Sequence, residues 1–444
     1  MQNYITVEPV QLFYGIMAMV SSVVRDHLFI EKVCQVHLNY SSNICSNLSQ
    51  NKEIKDEVQE IVTELEIIDG TLVAIPAVVF SLFMGSWSDR NGRKFLLILP
   101  FIGNIIAFLV YILNYYFFFE LGIYNLLWGS SVGMFGGYVC LNIGLYGYIA
   151  DVSTITSRTT RLSYLNGITS LSFVIGSAIG GQLFNAMHNY YIIFGISIGF
   201  GILGIIYSIF FVKESIIPKE ESEETNRGLF DLYHVKECFK TATKDRSTFY
   251  PRFGVIILVL HFASMMFCLN TSHYDYLLMV NKFDWGVHDF SNFLIVTRIV
   301  RFVGLLLLLP LLSSVFHIRD EAITLFGTIL TCLSYLIIAL GQSSILMFVA
   351  VVFQFNSIVT VSIRSQCTKA TSPEEVGKVF AVIALGQSLV PLVSNPLFGL
   401  VYRETLTTFP GAYLIIVCAF LLVACVGAAY LYNFKRRNSH VNMS

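Results

Sequence analysis

The sequence predicts an all-α membrane protein of twelve spanning helices in two pseudo-symmetric bundles of six. Three observations carry that expectation: apolar residues come in blocks of about 20 or more, charges are scarce, and a long hydrophilic stretch follows the sixth block. Hydrophobic residues make up 55% of the 444, and Asp, Glu, Lys and Arg together only 13%. The mean hydropathy is +0.68. Soluble domains carry about 25% charged residues, and a bilayer core of about 30 Å calls for about 20 apolar residues per helix. A soluble enzyme, a nucleic-acid binder and a disordered scaffold are all excluded. The net charge of −1 averages over two sides of a membrane and identifies no partner. Nine cysteines are too few for a disulfide scaffold.

The first six blocks cover about 6–29, 67–87, 95–117, 122–149, 161–185 and 190–212. The second six cover about 253–279, 291–313, 321–341, 344–366, 378–400 and 411–433. Each must be helical, because lipid cannot satisfy free backbone amides and carbonyls. The expected domains are therefore a bundle over 1–212, a linker over 213–252, a second bundle over 253–433 and a tail over 434–444. The middle of the linker carries Leu229, Leu232, Val235 and Phe239 at helical spacing, which suits a short amphipathic helix.

Most of the 28 Lys and Arg residues fall in loops after even-numbered spans, in the linker or in the tail. The positive-inside rule then puts both termini in the cytosol. A loop over 31–66 lands on the opposite side. It holds glycosylation sequons at Asn39 (Asn-Tyr-Ser) and Asn47 (Asn-Leu-Ser), together with Cys34 and Cys45, either as a local disulfide or as two thiols. The first block has no basic leader and continues as a full span, so no cleaved signal peptide is expected.

The most specific string is Gly85-Ser-Trp-Ser-Asp89-Arg90-Asn-Gly92-Arg93-Lys94, between spans 2 and 3. Glycine lets the chain reverse tightly, Asp89 suits a cation or a helix N-terminus, and Arg93 can reach an acid such as Asp151. Such a cluster can hold helices together in one state and release them in another. The string resembles the signature loop of the major facilitator superfamily, G-x-x-x-D-[RK]-x-G-R-[RK], at every defined position.

Further strings narrow the resemblance: Val7-Glu8-Pro9-Val10 opening span 1, Ile149-Ala-Asp151-Val-Ser153 through Arg158-Thr-Thr-Arg161 after span 4, His261-Phe262 in span 7 and Ile363-Arg364 in span 10. In order and spacing they are similar to solute carrier family 46, the folate carriers and their relatives. That resemblance implies secondary transport of organic, often anionic solutes, such as folates and pterins, muropeptides or cyclic dinucleotides, coupled to protons in several members. Two departures point away from a folate carrier. Asn166 stands where the folate-type member has a glutamate linked to proton coupling, and asparagine cannot ionise. Phe283-Asp284-Trp285 lacks the cysteine that precedes the tryptophan in that member, so no disulfide can run from there to the first loop. The proline common in the span 5 motif of antiporters is also missing, which favours symport or facilitated flux.

Ionisable residues inside spans face a cavity or a partner, since a central arginine costs about 2.5–3.5 kcal/mol to insert. Arg298 and Arg301 are three apart and share a face of span 8, Arg364 sits toward the cytosolic end of span 10, and His261 lies in span 7. Together they suit carboxylates or phosphates, which arginine can bind through two hydrogen bonds at once. Each also has a plainer reading: structural pairing for the span 8 arginines, a rim charge for Arg364, a buried hydrogen-bonded ring for His261. Glu8, Asn166 and Tyr274 complete the expected substrate or coupling group, and Asp89, Arg93, Asp151 and Arg161 the expected cytosolic latch. Arg25 and Asp26, adjacent and so not facing each other, are expected to reach out to the exoplasmic surface. Gly176-Ser-Ala-Ile-Gly180 in span 5 suits close helix contact.

The expectation is a transporter working by alternating access, its site between the bundles near mid-membrane. The partners are a small organic anion, with protons an open second, and the lipid bilayer. No nucleic acid, cofactor, metal or catalytic constellation is expected. A monomer is expected, in the plasma membrane or the lysosome. The rival is a membrane receptor that keeps the fold and transports nothing.

Overall fold

The computed structural model describes residues 6–153, 155–215, 253–370 and 376–441, with some side chains among them, Asp89 included, outside that description. The expected linker helix over Leu229–Phe239 lies outside the described residues, as does most of the linker.

The first half is built from α1 (Glu8–Lys32), a short α2 (Ser42–Ser46), α3 (Lys52–Asn91), α4 (Lys94–Tyr116), a 3-10 segment (Ile123–Phe135), α5 (Gly137–Val152), α6 (Ile155–Met187) and α7 (Tyr190–Phe210). The second half holds α8 (Gly254–Leu269), α9 (Ser272–Phe283), α10 (Val287–Val303), α11 (Asp320–Leu340), α12 (Ser344–Val352), α13 (Asn356–Ala370), α14 (Val376–Thr405) and α15 (Ala412–Val441). Among the described residues nine helices are long and apolar enough to cross a membrane, or ten if the bent pair α8 and α9 is one span. Large apolar side chains such as Phe210, Val423 and Leu113 lie on the outside of these helices at 77%, 72% and 52% exposure. Water would not tolerate so wide an apolar face, whereas lipid requires one.

Local chemistry explains the boundaries. Pro9 and Glu8 sit in the first turn of α1, where a missing amide proton costs nothing and a negative charge meets the positive helix end. The Asn189 side chain caps α7 by accepting from the amides of Tyr191 and Ile192. The chain leaves α3 at Gly92 with φ of 107°, a conformation that excludes most side chains.

Three elements differ from the sequence expectation. The 31–66 loop is shorter than expected, because α1 runs on through a π-helical turn (Val33–His37) and α3 begins at Lys52. Residues 52–66 are charged yet helical, because Val58, Val62 and Leu65 bury one face. The span expected at 122–149 is split by Gly136, at φ of 74°, into a 3-10 half and an α-helical half. The span expected at 253–279 is bent by 41° between α8 and α9.

The chain divides into two compact units. The first takes Met1–Phe230, His273–Arg298 and Asn395–Thr408; the second takes Asp231–Ser272, Ile299–Ser394 and Phe409–Ser444. In the first, α1 packs along α6 and α7. A Cβ at Gly180 would overlap the Val20 carbonyl oxygen, so the small residue at this position is what lets the two backbones approach. In the second, α11 packs against α13 and α15, around buried Tyr335 and Tyr413. The Tyr335 hydroxyl donates to the Cys268 carbonyl at 2.7 Å, across from α8.

Candidate functional site

The first unit has two polar ends. One carries the Gly85–Lys94 turn and is called here the turn end. The other carries the loop closed by the Cys34–Cys45 disulfide and is called the disulfide end.

At the turn end, Arg93 Nε donates to Asp151 Oδ2 at 3.1 Å, and Arg93 Nη1 donates to Ser88 Oγ at 2.6 Å. The Glu214 carboxylate accepts from the backbone amides of Arg93 and Lys94, at 2.6 and 3.2 Å, and so caps α4. Ser215 Oγ donates to Asp151 Oδ2 at 2.9 Å. The expected pair of Arg93 and Asp151 thus forms inside a larger cluster. Glu214 falls within the expected linker over 213–252 and was not singled out from sequence; an acid just past the end of span 6 was the available signal. The Asp89 side chain lies outside the described residues.

Arg161 and Glu8 were assigned to different groups, latch and cavity, and the structure pairs them. Arg161 Nη2 lies 3.3 Å from Glu8 Oε1, and the two residues are 7% and 2% exposed. Arg161 also donates to Thr6 Oγ1 at 2.7 Å. The pair forms because α1 and α6 run side by side in register, Gly15 meeting Ser172 and Gly180 meeting Val20. Higher in the same unit, Asn166 Oδ1 accepts from the Tyr146 hydroxyl at 3.4 Å, and the Arg298 guanidinium lies over the Phe173 ring, 4.9 Å from its centroid. Gln11 on α1 is 1% exposed, and neither amide atom has a hydrogen-bond partner.

At the disulfide end is a network that sequence reasoning did not assemble. Arg25 donates through Nη1 to Asp69 at 2.7 Å, through Nη2 to both Glu66 oxygens at 2.7 and 2.8 Å, and through Nε to Asp26 at 2.9 Å. His273 Nδ1 lies 3.1 and 3.2 Å from the two Asp26 oxygens and 3.3 Å from Arg25 Nη2. Ser130 Oγ donates to the free Asp69 oxygen at 2.6 Å. The expectation that Arg25 and Asp26 reach outward is therefore corrected: their side chains are 13% and 8% exposed. Adjacency does not prevent contact, because the arginine side chain is long enough to fold back on its neighbour. Asp26, Glu66 and His273 bring ligand atoms within 4.8 Å of one another. A small cation would suit that set, but the Arg25 guanidinium already serves it.

Around this network the charged start of α3 grips α9 and the end of α14. Lys55 Nζ binds Asp284 and the Asn281 carbonyl, and Gln59 Nε2 donates to the Leu277 carbonyl at 3.1 Å. The Tyr402 hydroxyl donates to Gln59 Oε1 at 3.1 Å. Arg403 pairs with Glu60 at 2.9 Å, and that carboxylate raises the guanidinium above its usual value. Tyr274, expected as a gate or ligand residue, is 2% exposed, and its hydroxyl donates to the Asn395 carbonyl at 2.9 Å. Asn39 and Asn47 are both exposed.

In the second unit, His261 is 2% exposed and its Nε2 lies 2.8 Å from Thr328 Oγ1. That hydroxyl gives its single proton to the Thr324 carbonyl at 2.7 Å, so it accepts from the ring and Nε2 carries the hydrogen. Nδ1 is left as an acceptor with no hydrogen-bond partner. Arg301 Nη2 donates to Gln354 Oε1 at 2.6 Å, and the half-buried Arg364 lies over the Phe262 ring at 5.1 Å. Among the described residues no carboxylate is placed against Arg301 or Arg364, whereas Arg25, Arg93 and Arg161 each hold one.

A helical membrane fold with this charged turn defines a transporter class, and the sequence matches that class directly. The chain belongs to the Major Facilitator Superfamily, whose family model matches residues 62–394. It is 24% identical to a probable peptidoglycan muropeptide transporter SLC46 of Drosophila melanogaster, over 94% of this chain and 83% of that one. It is 23% identical to a lysosomal proton-coupled steroid conjugate and bile acid symporter of Gallus gallus, over 95% and 93%. Among solved structures, the human organic anion transporter MFSD10 aligns with a TM-score of 0.65 at 13% identity, covering 95% of this chain and 98% of that one. The last likeness shows the fold.

Proposed function

We propose that this chain moves an organic anion across its membrane by alternating access, with folate-like, muropeptide, cyclic-dinucleotide or steroid-conjugate solutes as the classes to test. The observation that carries the reading is the state of Arg301 and Arg364. A guanidinium inside a membrane span that meets only an amide or an aromatic ring retains unused donors. A carboxylate or phosphate satisfies them through two parallel hydrogen bonds. In Arg93 and Arg161 the positive charge is already met by a carboxylate, Asp151 and Glu8 respectively.

In this reading Glu8, Asn166, Arg298 and Tyr274 of the first unit and His261, Arg301 and Arg364 of the second act in substrate binding or coupling. Arg93, Asp151, Glu214 and the signature aspartate Asp89 act as the latch. The turn end and both termini lie in the cytosol and the disulfide end on the exoplasmic side, with sugars on Asn39 and Asn47. Residues 213–252 link two six-helix halves. The protein works as a monomer in the plasma membrane or the lysosome, with protons as the driving ion.

The test is uptake and counterflow in proteoliposomes with each labelled solute class, at about pH 5.5 and about pH 7.4, on either side of the imidazole range. Arg364→Ala lowers uptake at subsaturating substrate by about 10- to 100-fold, the loss of one charge-assisted pair of about 1.4–2.8 kcal/mol. Arg364→Lys falls between. Unchanged uptake by Arg364→Ala at equal abundance refutes the role given to that residue. Counterflow absent for every class favours the receptor reading.

A further inference from the structure

We propose that His273 and Asp26 form a proton site at the disulfide end of the first unit, and that a proton there holds α9 against α1 and α3. The inference rests on the transport reading for its biological use, though not for its test.

The charges come first. Asp26, Glu66 and Asp69 converge on a single permanent cation, Arg25. With a neutral imidazole the network carries two uncompensated negative charges, and with an imidazolium only one. His273 is the most exposed member. Its side chain is 44% exposed, whereas those of Asp26, Glu66 and Asp69 are 8%, 4% and 7% exposed. A proton from the aqueous phase at this end therefore meets the ring before the carboxylates.

Among the described residues, Asp26 meets no cation besides Arg25 and His273. From α1 the ring meets Arg25 and Asp26, α3 brings Glu66 close to it, and Asp69, also on α3, is bound to Arg25. From α4 the Tyr111 hydroxyl approaches Arg25. The 3-10 segment contributes Ser130, which is already bonded to Asp69. On its own helix, Tyr274 is committed to the Asn395 carbonyl and Asp275 adds a further negative charge nearby in sequence.

The mechanics follow from which elements the contact joins. Asp26 belongs to α1, Glu66 and Asp69 to α3, and His273 to the first turn of α9. α9 begins just after the 41° break that follows α8. Other ties between α3 and the α9 region do not involve His273: Lys55 binds Asp284 and the Asn281 carbonyl, Gln59 donates to the Leu277 carbonyl, and the Asn281 amide donates to Asp56 and Gln59. Losing the imidazolium removes the positive partner of Asp26 on α9 and returns the network to two uncompensated negative charges. That leaves α9 tied to α3 and free to part from α1. With asparagine at position 166, this is where an exoplasmic proton can act on the first unit. Proton binding closes this end, and its release loosens it.

The experiment reads distance as well as flux. Spin labels at His37→Cys and Gly286→Cys, both exposed positions, one just past α1 and one just past α9, report separation in nanodiscs by pulsed electron resonance from about pH 5 to about pH 10. The parent protein shifts from the short to the long distance as pH rises through that window, the population ratio changing about tenfold. His273→Gln keeps a hydrogen bond donor and removes the titration, so its ratio stays flat. Asp26→Asn also flattens it. A parent ratio that does not change with pH, or a His273→Gln protein that titrates like the parent, overturns the proposal. Flux in the same preparation separates the two claims. A titrating distance without any counterflow defeats the transport reading alone, and proton-driven flux with a flat distance defeats the proton site alone.

Discussion

Replacing Arg25 by methionine removes the one permanent cation among three buried carboxylates, and the structure sets the size of the effect. The guanidinium lies at hydrogen-bond distance from Asp26, Glu66 and Asp69, with charge centres about 4 Å apart. At an effective dielectric of about 20 each attraction is worth about 4 kcal/mol, about 12 in all. Asp26 and Glu66 have atoms within 4.8 Å of each other. Treating all three carboxylate pairs at about 5 Å gives about 10 kcal/mol of mutual repulsion on the same scale. The two nearly cancel with Arg25 present, and only repulsion remains without it. The protein evades most of that repulsion by binding protons or admitting water, so the expected net loss is about 3–5 kcal/mol, the cost of breaking a buried pair.

The pH dependence fixes the sign. Protonating carboxylates relieves repulsion in the variant, so its deficit shrinks as pH falls from about 7.5 to about 5. Thermal melting in detergent, followed by fluorescence-detected size exclusion, measures it. An Arg25→Met protein that melts with the parent at pH 7.5, or whose deficit grows in acid, refutes the reasoning.

Two further predictions concern the turn end and the α1–α6 seam. Glu214→Gln loses the charge that caps α4 and is expected to cost about 0.5–2 kcal/mol in melting assays, while slowing transport more than it lowers yield. An unaltered flux would separate Glu214 from the latch. Gly180→Leu forces a side chain into the Val20 carbonyl and is expected to cost about 1–3 kcal/mol or more, seen as a lower melting temperature and less monodisperse protein. Gly195→Leu is the control, because a Cβ there meets open space.

The glycosylation sequons, the signature turn and the apolar blocks are local features, so they are legible without a fold. The same holds for the Arg93 and Asp151 pair, because a signature string specifies both the residue and its kind of partner. Arg25 shows the limit. Its neighbours Glu66, Asp69 and His273 are 41, 44 and 248 positions away, and nothing in the linear order distinguishes them from rim charges. Glu8 was expected in the substrate group and Arg161 in the latch, and only the parallel register of α1 on α6 made them partners of each other. Tyr274 and His261 were sound choices of residue type, but what each hydroxyl or ring nitrogen bonds depends on helices that are distant in sequence.

By itself, then, the order of residues determined that this chain lies in lipid, that its backbone must be helical there, and which superfamily its turn belongs to. Hydrophobicity and short motifs act over about 20 residues at a time, the length a bilayer demands. Only the packed structure decided which charges neutralise one another and which arginines keep donors to spare. An ion pair is a matter of a few ångströms in space, and its partners are brought within reach only when helices far apart in the chain lie side by side.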